Sequence, residues 1–245
     1  RALITHAHAD HARPGCGEYW AVASSEGVLR QRLGQDISLH PVQYGVEHWL
    51  GQCRVSFHSA GHVLGSAQIR LEVDGEVWVV SGDYKRDADP SCDPFEPVPC
   101  DVLITEATFG LPIYRWQTGA EVANEIRAWW QGDRQRPSLL FCYAFGKAQR
   151  LMAELNAIGV DDEVLLHGAV ETVTRHYRAA AVPMTPSRPV SDLPRSDNLA
   201  GRLVLAPPSA HRSSWMRRFR SPQTGFASGW MAVRGARRRR GYERG

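Results

Sequence analysis

The sequence is short of lysine, of paired cysteines and of long apolar runs. Only two of its 29 basic residues are lysines, Lys85 and Lys147. That bias fits a GC-rich coding sequence, so it is no argument for selected guanidinium chemistry. No apolar stretch approaches the roughly 18 residues a membrane-spanning helix needs, and the first residues enter a strand-like run without a signal-peptide pattern. A membrane-embedded function is therefore not expected. The five cysteines, at 16, 53, 92, 100 and 142, are odd in number and form no CxxC pair. This argues against a disulfide framework and against a cysteine-based zinc site, and points to reduced thiols in the cytoplasm. The chain opens on Arg1 rather than Met, so Arg1 is not expected to be the native start.

What is present is a segregated charge. Residues 1–110 hold 8 Lys/Arg against 15 Asp/Glu, whereas residues 212–245 hold 10 Arg against the single acid Glu243. An acidic first part suits bound cations, and a basic end suits a polyanion such as nucleic acid. A length of 245 residues allows one large domain or two modest ones.

The texture changes after Gly110. Before it, strands and short connections dominate. Ala2-Leu3-Ile4 and Val102-Leu103-Ile104 read as short buried strands, and residues 53–58 and 66–72 are strand-like. Asp74-Gly75 is a hairpin signal ahead of Val77-Trp78-Val79-Val80. Residues 24–33 suit a helix capped by Ser24 or Ser25. After Gly110, Thr118 is placed to cap a helix to about residue 131. Strands at 138–143, 164–166 and 202–205 then alternate with helices at 146–158 and 169–180, which argues for an α/β unit with a parallel sheet. Residues 183–198, rich in Pro, Ser and Asp, read as a loop.

The run Thr5-His6-Ala7-His8-Ala9-Asp10-His11 carries the chemistry. Residues two apart in extended chain share a face, so His6 and His8 can converge on one metal. Asp10 and His11 follow where the chain turns and can face a second. A lone histidine on a strand is usually a packing residue. Three histidines and an aspartate within six residues, directly after an apolar strand, are hard to explain by packing, and imidazole with carboxylate is a catalytic zinc ligand set. Two later pieces join it. His62 lies in Ser59-Ala60-Gly61-His62-Val63-Leu64-Gly65-Ser66, between glycines that permit a tight turn. Asp83 lies in Ser81-Gly82-Asp83-Tyr84, where a carboxylate at a strand end can bridge two cations.

In this order the set resembles the metallo-β-lactamase superfamily, and within it the β-CASP nucleases. Thr105-Glu106-Ala107-Thr108-Phe109-Gly110 looks like that branch's acidic motif. Residues 141–150 look like the strand-to-helix turn of its inserted domain, and Gly229–Ala236 like the segment leading back to the lactamase core. The pattern is most similar to bacterial ligase-associated DNA exonucleases, relatives of mRNA 3′-end processing factors. The resemblance implies an α/β fold, a metallo-β-lactamase αββα sandwich incomplete at both ends, with an inserted β-CASP domain. The implied divisions are 1–110 for the first lactamase-like segment, 111–236 for the β-CASP-like domain, and 237–245 for the start of the return to the core.

By that resemblance His6, His8 and His62 hold one metal, Asp10 and His11 the other, and Asp83 bridges. Zn²⁺ follows from the ligands, with Mn²⁺ the alternative in a nuclease. Glu106 is implied as a catalytic residue that orients a histidine assisting the leaving group, and Asp10 as one that both binds metal and holds the proton of the attacking hydroxide. The reaction implied is phosphodiester hydrolysis by a DNA exonuclease in DNA repair, associated with a DNA ligase. An RNA 3′-end processing ribonuclease is the alternative substrate reading. For Lys147, contact with a phosphate and simply flanking a helix are both open. One departure stands out: the family supplies two further histidines after its insertion, and neither motif appears before Gly245. An internal piece of a longer protein is therefore expected, and a non-catalytic nucleic-acid-binding role is the third reading. His167, His176 and His211 match neither motif, and His40, His48 and His58 read as surface, packing or supporting residues.

Overall fold

The structure, a computed structural model, describes residues 1–112 and 114–232. It divides into two compact units, Arg1–Tyr114 and Arg115–Gly245. Both mix helices and sheets, so the chain is an α/β protein. Among the described residues no helix is long and apolar enough to cross a membrane.

The first unit begins with a parallel sheet of β1 (Ala2–Leu3), β2 (Tyr19–Val22) and β3 (Leu39–Val42), in that order, with α1 (Glu26–Leu33) connecting β2 to β3. A second sheet follows in chain order: β4 (His48–Leu50), β5 (Cys53–Ser59), β6 (Ala67–Val73), β7 (Glu76–Val80) and β8 (Val102–Ile104). It is antiparallel from β4 to β7, and β8 pairs parallel to β7. Asp74 and Gly75, both at positive φ (51° and 85°), close the β6–β7 hairpin on the pair Val73–Glu76. Two left-handed central residues match the right-handed twist of the flanking strands.

Side-chain alternation decides where this unit's core lies. Val55 and Phe57 of β5 and Ile69 of β6 share one buried cluster with Val22 and Val42 of the parallel sheet, so the two sheets pack face to face. Burying each such side chain stabilises the unit by about 1.5–3 kcal/mol. Ser56 and His58 take the opposite face of β5.

Three local expectations need correction. Val102–Ile104 is a strand, but Leu103 and Ile104 are 55% and 50% exposed: successive side chains point to opposite faces, so neither face of this edge strand is covered there by the described residues. Ser25 precedes α1 but does not cap it. It sits in a 3₁₀ turn (Ala23–Ser25), and its hydroxyl donates back to the Val22 carbonyl at 2.7 Å, three residues earlier. Residues 183–198 are not all loop, since Ser187–Pro189 forms a strand.

The second unit starts with α2 (Gly119–Gly132). Its first turn is closed by reciprocal bonds: the Glu121 N–H donates to Thr118 Oγ1 (3.2 Å) and the Thr118 N–H to Glu121 Oε2 (2.8 Å). Then come β9 (Ser138–Phe141), α3 (Lys147–Ala157), β10 (Val164–Leu166), α4 (Gly168–Ala179), β11 (Ser187–Pro189), β12 (Leu203–Ala206) and β13 (Gln223–Phe226). The five strands form a parallel sheet in the order β11-β10-β12-β9-β13. Leu140, Leu166 and Leu205 pack on one face against Ile126 and Trp130 of α2 and Met152 of α3. Leu139, Phe141 and Val204 pack on the other against Val190, Phe219 and Met231. Both faces are covered, so the central strands are apolar throughout rather than alternating. The expected return segment 237–245, with Arg237–Arg240, lies outside the described residues, as do residues 233–236 of the motif that precedes it.

Candidate metal centre

Backbone pairing brings three loops of the first unit together. The Ile4 N–H donates to the Trp20 carbonyl (2.8 Å), and the Thr5 carbonyl accepts from the Ala67 N–H (2.7 Å), which fixes the start of the histidine run against the head of β6. The chain then turns at His8, whose carbonyl accepts from the N–H groups of both His11 (3.1 Å) and Ala12 (2.9 Å). That turn brings His11 back towards His6, with ring centroids 4.1 Å apart.

The His62 loop is held by side chains. Ser66 Oγ accepts from the N–H groups of His62 (3.0 Å) and Val63 (3.1 Å), and the Tyr44 hydroxyl donates to the Ser66 carbonyl (2.8 Å). Gly61 has φ +67°, and a Cβ there would meet the Lys85 carbonyl at 2.3 Å, so only glycine lets this loop lie against the segment after Asp83. The Lys85 N–H donates to the Ala60 carbonyl (2.9 Å), which ties the two loops together.

His6, His8, His62 and Asp83 offer ligand atoms that all lie within 4.8 Å of one another. His62 Nε2 is 3.4 Å from His8 Nδ1 and 3.6 Å from Asp83 Oδ2, and His6 Nε2 is 3.8 Å from the same oxygen. The other oxygen, Asp83 Oδ1, faces His11 Nε2 at 3.3 Å, and His11 Nε2 is 3.7 Å from Asp10 Oδ2. The carboxylate thus stands between a three-histidine group and an Asp/His pair.

The donor set fits divalent cations. His6 Nε2 is fully buried and has no hydrogen-bond partner, an arrangement that costs free energy unless something binds its lone pair. Burial first, then the charges of His8, His62 and His11, push the His6 pKa down to about 2, so the ring is neutral and its lone pair available. Burial raises the Asp83 pKa, and Glu106 and Asp10 add to the rise against the opposing pull of His11 and His8. A site with too much negative charge for its burial gains from a cation.

The other candidates are placed as follows. Glu106 is near enough to act on Asp83 electrostatically, but its Oε2 accepts from the Thr108 N–H at 2.6 Å and is held in its own turn. Lys147 is the first residue of α3 in the second unit. His40 stacks on Trp20 (4.7 Å), and His58 bridges Ser56 Oγ (3.0 Å) and Glu96 Oε1 (2.9 Å). In the second unit His167 accepts from the Ala169 N–H at the start of α4 (3.0 Å), His176 lies in the last turn of α4, and His211 sits edge-on to Phe141 (5.0 Å). Sequence reasoning missed the supporting residues Tyr44, Ser66 and Thr5. The latter two lie inside the motifs, but only folding shows what their hydroxyls touch.

No family model matches the chain. It is 31% identical over 242 residues to a protein of Opitutus terrae described as a probable DNA ligase, covering 96% of this chain and 23% of that one. It is 31% identical over 153 residues to cleavage and polyadenylation specificity factor subunit 3 of Dictyostelium discoideum, covering 60% of this chain and 20% of that one. It is also 31% identical over 121 residues to endoribonuclease ysh-1 of Neurospora crassa, covering 48% of this chain and 14% of that one. The chain therefore spans less than a quarter of the length of these relatives. Among solved structures it superposes on a protein of unknown function from Enterococcus faecalis with TM-score 0.62 and 9% identity, covering 99% of this chain and 67% of that one, a likeness of fold alone. With these relatives, the chain is a relative of the β-CASP nucleases of the metallo-β-lactamase superfamily.

Proposed function

We propose that this chain provides the two-cation centre of a metal-dependent nuclease that hydrolyses phosphodiesters, acting on DNA as an exonuclease in repair. The observation that carries the reading is the division of Asp83, with Oδ2 toward His6 and His62 and Oδ1 toward His11. In this reading His6, His8 and His62 hold one cation, Asp10 and His11 the other, and Asp83 spans both. Zn²⁺ suits the ligands, and Mn²⁺ is the alternative. Two such cations lower the pKa of a shared water and polarise a phosphoryl oxygen.

The chain's own groups do the rest. In this reading Asp10, largely exposed beside His11, both binds metal and holds the proton of the attacking hydroxide. His6 directly follows the paired Thr5 carbonyl, and Asp83 lies between the paired N–H groups of Ser81 and Lys85, so both ligands sit on anchored backbone. Glu106, held by the Thr108 N–H, is a fixed carboxylate for orienting a proton donor to the leaving oxygen. Lys147 is the candidate phosphate contact of the second unit. The reading gives residues 1–110 the metallo-β-lactamase sandwich, supported by the two facing sheets of the first unit, and residues 111–236 the β-CASP domain. The reading assigns the chain to the cytoplasm, in keeping with five free cysteines.

DNA is preferred because the alignment to the protein described as a probable DNA ligase covers 96% of this chain. The RNA reading has its own support in the endoribonuclease relatives. End-labelled DNA and RNA strands of matched sequence, incubated with Zn²⁺ or Mn²⁺, separate the two by rate. Cleavage should stop with a chelator and fall in Asp10→Ala and Asp83→Ala. Cleavage that survives the chelator and both substitutions would overturn the nuclease reading. Salt-sensitive binding without turnover would favour a non-catalytic nucleic-acid-binding role.

A further inference from the structure

Thr5 lies directly before the first histidine and is almost fully buried (9% exposed). Its hydroxyl oxygen stands 3.3 Å from Nδ1 of His6 and 3.3 Å from Nδ1 of His11. These two rings serve different cation positions in the reading above: His6 faces Asp83 Oδ2 and His11 faces Asp83 Oδ1. A neutral imidazole carries one N–H. If Nε2 is to offer its lone pair to a cation, Nδ1 must carry the hydrogen and needs an acceptor. A hydroxyl oxygen has two lone pairs, enough for both rings.

The remaining contacts of Thr5 point the same way. Its carbonyl accepts from the Ala67 N–H, at the end of the loop that carries His62. A Cβ on Gly82 would stand 2.6 Å from Thr5 Cβ and 2.8 Å from Oγ1, so the segment presenting Asp83 packs directly on this side chain. One residue is therefore in register with both histidine positions, the His62 loop and the bridging carboxylate.

We infer that Thr5 is a positioning residue shared by the two cation sites: its hydroxyl accepts from His6 and His11 together and couples the orientation of one site's ligand to that of the other. This rests on the two-cation reading of the centre. Partners that orient metal-bound histidines typically contribute about 10–100-fold in metal affinity. A residue serving one histidine affects one site, whereas Thr5 affects both.

The test compares the full chain with Thr5→Val, which keeps the side-chain shape against Gly82 and removes the hydroxyl, and with Thr5→Ser, which keeps the hydroxyl and removes the methyl. Each is stripped of metal, checked for an unchanged far-ultraviolet circular dichroism spectrum, and titrated with Zn²⁺ against a chromophoric chelator. Co²⁺ absorption gives a second readout of ligand geometry. The expected result is two ions in the unsubstituted chain, both weakened about 10–100-fold in Thr5→Val, and affinity within a few-fold of the unsubstituted value in Thr5→Ser. Two ions bound equally well by Thr5→Val, or weakening confined to one site, overturns the shared role while leaving the two-cation reading standing. Fewer than two ions bound by the unsubstituted chain overturns both. If Thr5→Val loses its fold, Thr5→Ser decides: weakening of either site in a folded Thr5→Ser chain overturns the proposal, and retained affinity at both supports it.

Discussion

Asp83 Oδ1 stands 3.3 Å from Nε2 of His11, while the other oxygen of the same carboxylate faces His62. A carboxylate shared in this way is the least replaceable group of the centre, since each of its two oxygens faces the ligand nitrogen of a different position.

Asp83→Ala is accordingly expected to reduce Zn²⁺ binding at both positions, by roughly 100-fold or more, exceeding the 10–100-fold typical of residues that only support a ligand. Asp10→Ala should weaken the His11 position alone. Zn²⁺ should also raise the stability of the unsubstituted chain by about 2.7 kcal/mol for each site held at 100 times its dissociation constant, a gain absent with chelator. Metal content after dialysis and the shift in thermal midpoint check both statements.

Gly61→Ala should be far more costly than Gly75→Ala. Both glycines have positive φ, but a Cβ at position 61 meets the Lys85 carbonyl at 2.3 Å and the Phe95 nitrogen at 2.9 Å, whereas nothing lies within 4 Å of one at position 75. Left-handed backbone alone costs an alanine about 1–2 kcal/mol, and overpacking adds about 1–3 kcal/mol. Urea unfolding should place Gly75→Ala in the first range and Gly61→Ala above it, with Zn²⁺ affinity lowered only in Gly61→Ala.

Thr118→Ala should destabilise the second unit by about 0.5–2 kcal/mol through loss of the α2 cap. Ser25→Ala should show no loss of helix capping, because the Ser25 hydroxyl bonds the Val22 carbonyl and not an N–H of α1. Denaturant midpoints of the two variants give the comparison.

Cys142 supplies a prediction at alkaline pH. The thiol is fully buried, and burial pushes its pKa up from 9.0 to about 12. Between these values the unfolded chain loses the proton and the folded chain keeps it, so stability is full below pH 9 and falls as pH rises toward 12. Subtracting the profile of Cys142→Ala from that of the unsubstituted chain isolates this group. A difference that stays flat from pH 9 to 12 contradicts the assignment.

Much of this was legible in the chain itself. His6, His8, Asp10 and His11 lie so close in sequence that one strand end and one turn bring them together. Asp74-Gly75 specifies its hairpin and Thr118 its helix start through bonds that span three residues or fewer. The apolar strands 138–141, 164–166 and 203–206 declare a sheet covered on both faces. Strands of four residues, such as Tyr19–Val22, Leu39–Val42 and Gln223–Phe226, carry too few positions for a period to register, and their pairing partners decide them.

Tertiary structure alone decided the rest. Exposure of Leu103 and Ile104 depends on what packs over the two faces of β8, which three apolar residues cannot announce. Ser25 has a cap residue's identity but not its backbone conformation. The division of Asp83 between His62 and His11 joins residues 21 and 72 positions apart, and the approach of Thr5 Oγ1 to His6 and His11 depends on how the turn at His8 closes. Sequence determined which donor atoms this chain possesses. Only the long-range pairing of its strands, through distances and angles that hydrogen bonding and metal ligation require, decided which of them face one another.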